Sequence, residues 1–224
     1  MKMTRKILIS FLLSLLFAPW VHGQDLSRYR NFSFGMSLAE VSKQVAPQTL
    51  QEKLVYKEPA IVQELTWWPN NSAGISEKAQ PVWQVLFTFY EGELYRILVT
   101  YNSQATKGMT VEDMVQAISA EYGTPSRNAG AISFPTNELY SSTELIVARW
   151  EDSRYSFNLF RSSFLNGYGL VMFSKELDTR VRAEFAASQG LEVGAVDPKE
   201  VARLKAEAHD LEVTRQKNKK SFRP

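Results

Sequence analysis

Few side chains in this chain of 224 residues could carry covalent or metal chemistry, and their types restrict what that chemistry would be. There is no cysteine, which removes thiolate nucleophiles, thiolate metal sites, iron–sulfur clusters and disulfides together. The two histidines are His22 and His209, so none lies between Gln24 and Ala208. A Ser-His-Asp or Cys-His arrangement therefore cannot be built in the body of the chain, nor can a zinc site that needs two imidazoles. No Gly-rich phosphate loop, dinucleotide fingerprint or calcium-loop pattern is present. We expect no metal and no cofactor, and assign no catalytic residue. What remain are carboxylates and aromatics. Glu91, Glu93, Glu151 and Asp152 fall at two hairpin turns. A glycosidase needs two carboxylates ~5–9 Å apart across a cleft, whereas acids at turns more often serve as solvated turn formers. Trp67, Trp68, Trp83, Tyr95 and Trp150 lie in or beside strand-like segments, and tryptophan and tyrosine are typical anchors of protein interfaces.

The elements that must position these residues come in two similar runs. Phe34-Gly35-Met36-Ser37-Leu38-Ala39-Glu40-Val41 recurs in altered form as Gly108-Met109-Thr110-Val111-Glu112-Asp113-Met114, with the two glycines 73 residues apart. Ser37 precedes Glu40, and Thr110 precedes Asp113, by the three residues of a capping box, which satisfies orphan backbone donors at a helix start. Leu38, Val41 and Val45 then keep one apolar face, as do Val111, Met114, Ala117 and Ile118. Pro47 limits the first helix, and Tyr122-Gly123-Thr124-Pro125 stops the second. Strand-like sequence follows each helix: Ala60–Trp68, Val82–Tyr90 and Leu94–Tyr101 after the first, and Ile132–Phe134, Leu145–Trp150, Tyr155–Phe160 and Tyr168–Phe173 after the second. The turns Tyr90 to Tyr95 and Trp150 to Tyr155 read as counterparts, each with an aromatic, an acid, a turn pair and a returning tyrosine.

This pattern predicts an α+β fold of two tandem helix-plus-antiparallel-sheet modules, residues 24–105 and 106–190. Strict alternation puts Tyr95, Ile97, Val99 and Tyr101 on one face, and Trp83, Val85, Phe87 and Phe89 on one face, leaving Leu94, Leu98, Val82, Leu86 and Tyr90 opposite. Both faces of this hairpin are then apolar. Either the second face is an open contact surface using Trp67 or Trp68, Trp83, Tyr95 and Trp150, or the modules or C-terminal helices cover it and these residues are core.

Gly-Met-Ser/Thr, an acid, an apolar helix and a terminal Gly-x-Pro resemble the small modules of the SmpA/OmlA outer-membrane assembly lipoproteins. Their tandem pairing, over about residues 30–175, is similar to the β-lactamase inhibitor protein-like fold. The resemblance implies an exported protein that acts by contact. It stops short of a lipid anchor, since no cysteine is available for acylation, and Ala46-Pro47 stands in the first copy where Gly-x-Pro is expected.

Targeting sequence agrees with export. Lys2, Arg5 and Lys6 precede the apolar stretch Ile7 to Phe17, and Pro19 and Val21-His22-Gly23 complete a signal-peptide pattern over residues 1–23, with cleavage between Gly23 and Gln24. The apolar stretch falls well short of the ~20 residues that span a bilayer. Losing those three bases turns the formal net charge from +2 to −1, which gives no electrostatic case for nucleic acid. Leu177, Val181 and Phe185 predict a helix docked on the second module, and residues 191–224 a linker, a charged helix from Asp197-Pro198 and a basic tail. The expected function is a non-enzymatic binding or scaffolding protein of the bacterial cell envelope, periplasmic or extracellular, with an envelope or secreted protein as partner. A secreted enzyme inhibitor and a carboxylate-dependent glycan hydrolase are the alternatives.

Overall fold

The computed structural model describes residues 25–45, 50–56, 61–69, 81–126, 130–133, 143–162 and 167–188, with helical positions 199, 202, 203, 205, 206, 209, 210 and 213 beyond them. The leader, the linker, the basic tail and Val201, Leu204, Ala208 and Leu211 of the last helix lie outside the described residues. A short hairpin, β1 (Arg28–Tyr29) and β2 (Phe32–Ser33), precedes helix α1 (Leu38–Lys43). Four strands follow: β3 (Leu50–Tyr56), β4 (Val62–Trp67), β5 (Val82–Tyr90) and β6 (Glu93–Tyr101). Helix α2 (Val111–Tyr122) leads to four more, β7 (Gly130–Ser133), β8 (Thr143–Glu151), β9 (Tyr155–Ser162) and β10 (Gly167–Ser174). Helix α3 (Lys175–Ser188) leaves β10 without a loop.

Both capping boxes form. The Ser37 hydroxyl accepts from the Glu40 N–H at 3.3 Å while the Ser37 N–H donates to Glu40 Oε2 at 2.8 Å. Thr110 and Asp113 repeat the exchange at 3.2 and 2.8 Å. The preceding glycines adopt the same left-handed backbone, φ 87° at Gly35 and 81° at Gly108, a conformation that glycine enters without steric cost. Glu91 (φ 51°) and Gly92 (φ 84°) are left-handed in succession, the condition for a two-residue hairpin whose twist matches its strands.

The eight longer strands make one antiparallel sheet in the order β3-β4-β5-β6-β10-β9-β8-β7. Each run of four is a meander, and the two meet where β6 pairs with β10, from Thr100↔Gly169 to Arg96↔Phe173. On one face α1 and α2 bury Val41, Met114 and Ile118 against Phe87, Phe89, Ile97, Val99, Phe157, Leu159, Leu170 and Met172. The opposite face carries a second apolar cluster, Leu86, Leu98, Ile132, Ile146, Phe160 and Val171.

Four expectations are corrected. The first run has four strands, not three: β3 is an edge strand whose outward Glu52 and Lys53 hide its pattern. The turns at Glu91 and Asp152 are not counterparts, because one joins the third and fourth strands of its meander and the other the second and third. Strict alternation fails in β6, where Phe89↔Leu94 and Thr88↔Arg96 leave Tyr95 as an extra residue. This bulge turns Tyr95 away from Ile97, to the α3 side. Finally, Leu177, Val181 and Phe185 of α3 pack on Val55, Val62, Tyr90 and Tyr95, all from the first four strands. The helix therefore reaches across from the second run to the first.

Gly169 shows how tightly the centre is packed. A Cβ there would fall inside contact distance of Cζ, Cε1 and Cε2 of Phe160, its cross-strand neighbour. Gly169→Ala should lower stability by about 1–3 kcal/mol, read as a reduced urea midpoint, and a second change Phe160→Leu should recover part of the loss.

Candidate contact surface

The five aromatics expected to form one surface are distributed over three environments. Trp150 is fully buried on the α1/α2 face, and its indole N–H donates to the Gly123 carbonyl at 2.7 Å. That bond ties strand β8 to the end of α2, so Trp150 works as a core and cap residue. Trp67 is half-buried on the same face, its ring 6.0 Å from Phe32. Tyr95 is 1% exposed on the other face, edge-on to Tyr90 at 6.4 Å and covered by Val181 of α3.

Trp83 differs. Val82 pairs with Tyr101 and Gln84 with Thr100, which leaves Trp83 as the extra residue of a second bulge. It is 40% exposed. Because Trp67 pairs with Val85, the chains continue past this pair to half-buried Trp68 on one side and Gln84 and Trp83 on the other. Bulges re-aim side chains in this way at sheet edges and functional sites.

The hairpin carboxylates are engaged in local structure. Glu91 accepts from the Ile61 N–H at 3.2 Å, and Glu151 pairs with Lys175 at 2.9 Å. Asp152 Oδ1 accepts from the N–H groups of Arg154 and Tyr155, both at 2.7 Å, which fixes its turn. The two turns sit at the same end of the sheet with β6, β10 and β9 between them, a separation of roughly 14 Å at ~4.8 Å per strand. A glycosidase pair needs ~5–9.5 Å. Among the described residues no group of three His, Cys, Asp or Glu side chains could hold a metal ion, and no helix is long and apolar enough to cross a membrane.

A buried polar band beneath α3 went unread in the sequence. Arg96 is 3% exposed, and its Nη2 lies 3.8 Å from Asp178 Oδ1. Asp178 Oδ2 accepts from Arg182 at 2.7 Å, and the Tyr90 hydroxyl donates to Glu184 at 2.7 Å. Farther across the face, Arg149 Nε donates to buried Asn158 at 2.7 Å, and Asn158 in turn reaches Ser156 at 3.0 Å. One signal was available: an arginine inside the apolar run Leu94–Tyr101 has to find a buried partner.

The model of the TP0088 domain matches residues 27–178, which take in all ten strands, α1, α2 and the first turn of α3. The chain belongs to the TP0088 domain family. No curated protein matches the chain, and no solved structure does. In this TP0088 domain the last matched residue is Asp178, the carboxylate that faces buried Arg96.

Burial pushes the Tyr95 phenol up to about 12 from an ordinary 10. The unfolded chain ionises this tyrosine first, so the stability Tyr95 supplies is complete below ~pH 10 and is lost as pH rises through about 12. Urea midpoints measured from pH 9 to 12 should therefore fall, and fall less steeply in Tyr95→Phe. Asp178→Ala, which takes the carboxylate away from buried Arg96, should cost on the order of 3 kcal/mol by the same measurement.

Proposed function

We propose that this TP0088-family protein is exported to the bacterial cell envelope and acts there through protein contacts, as a binding or scaffolding protein. The observation that carries the reading is Trp83, put out of the strand ladder by a bulge and left 40% exposed. An indole in that position offers a large, stiff, amphipathic anchor. Export rests on the signal-peptide pattern of residues 1–23. The contact surface is accordingly narrower than the sequence suggested, with Trp68 and Trp83 as its anchors. Trp67 packs against the core and Tyr95 and Trp150 are buried in it, so none of the three belongs to that surface.

The same reading takes the chain as two copies of one helix-plus-four-strand module. Three observations support this. Gly35 and Gly108 are 73 residues apart and share a backbone conformation. Leu98 pairs with Val171 at the junction of the two meanders, and these residues are also 73 apart, as a local two-fold axis through that pair requires. Walking outward, Val99 pairs with Val85 and Val85 with Trp67, while Met172, 73 residues beyond Val99, pairs with Phe157 and Phe157 with Trp150. Trp67 and Trp150 thus occupy matching positions.

A photo-crosslinking amino acid at position 83, expressed in the native host, tests the contact reading. A discrete adduct with an envelope protein, absent when the probe stands at exposed Lys107 and weakened by Trp68→Ala, is the expected result. Equal adducts from both positions, or none from position 83, would overturn it.

A further inference from the structure

A cleft of about 290 Å³, open to solvent, lies between the N-terminal hairpin and the last turn of α2, lined by Asp25, Arg28, Arg30, Asn31, Glu121 and Tyr122. That space admits a molecule the size of a free amino acid together with several waters. Its charges are arranged by wall. On the hairpin side Asp25 and Arg28 neutralise each other at 3.1 Å, and Asp25 also accepts from the Ser27 N–H and hydroxyl, which holds its carboxyl below the usual range. Arg30 is left as the cation of that wall: among the described residues it forms no ion pair, and its guanidinium stands over the Tyr29 ring at 5.3 Å. Its backbone is left-handed (φ 53°), a conformation that Gly, Asn or Asp would adopt at lower cost, and it hydrogen-bonds to the Tyr122 hydroxyl. Burial raises the Tyr122 phenol to about 12, so this group stays neutral.

The helix wall has the opposite sign. Glu121 forms no ion pair among the described residues, and the last turn of α2 contains no basic residue to offset the negative end of the helix dipole. One wall thus favours an anion and the other a cation, around a volume suited to a small molecule carrying both. We propose that this cleft binds a free α-amino acid, with its carboxylate on Arg30 and Asn31 and its ammonium on Glu121 and the terminal carbonyls of α2. This site is independent of the contact surface proposed above.

The test is calorimetric titration of the purified protein with alanine, leucine, glutamate and lysine, with amide shifts of Asn31 and Glu121 followed by NMR. At least one amino acid should bind saturably at one site. Its N-acetyl derivative, lacking the ammonium, and its amide, lacking the carboxylate, should each bind at least ~10-fold more weakly, the scale of a charge-assisted hydrogen bond. Glu121→Gln should remove the discrimination against the N-acetyl derivative, and Arg30→Gln the discrimination against the amide, with unchanged melting temperatures. A dipeptide as tight as the best amino acid would make the ligand a peptide and overturn the assignment. So would the absence of saturable binding, equal binding of the blocked derivatives, or variants that bind like the wild type.

Discussion

The pairing of β6 with β10 is the contact on which the rest of the molecule depends. Each four-stranded meander ends in a strand that would otherwise expose a long row of unpaired N–H and C=O groups beside Ile97 and Val99, or Leu170 and Met172. Joining those strands removes both edges at once. It also brings α1 and α2 onto a common face, so that their apolar stripes share one core instead of two small ones. A short six-residue helix such as α1 has little stability of its own and needs this core to persist.

The two faces of the sheet solve different problems. Beneath α1 and α2 the interior is almost wholly apolar, and polar atoms such as the Trp150 N–H are satisfied at its rim. On the α3 side the sheet keeps Glu64, Thr88, Arg96, Ser156 and Asn158 buried. Such groups add little stability compared with apolar residues, but they penalise any packing that leaves them unpaired. The helix is thereby held in one register. Because α3 follows β10 yet packs on strands from the first run, it also straps the two halves of the sheet together.

The two candidate sites lie where these constraints are relaxed. Bulges at Trp83 and Tyr95 each break the alternation of one long hairpin, with opposite results: Tyr95 is turned under a helix, whereas Trp83 is turned outward. The turn that carries Arg30 holds a cation in a costly backbone conformation beside a cleft open to solvent. Neither placement contributes to the core.

What was legible in the sequence was local. The capping boxes at Ser37 and Thr110, the glycines before them, the Glu91-Gly92 turn and seven of the eight long strands depend on interactions within a few residues, and those are written in residue type and spacing. The eighth, β3, was missed because an edge strand faces solvent and loses the apolar period. Tertiary structure alone decided which tryptophan is core and which is surface, since one bulge reverses the face of every residue beyond it. It alone joined the two meanders through their last strands and brought Asp178 to Arg96. Those pairings connect residues distant in the chain, and no local pattern encodes which edge a strand will choose.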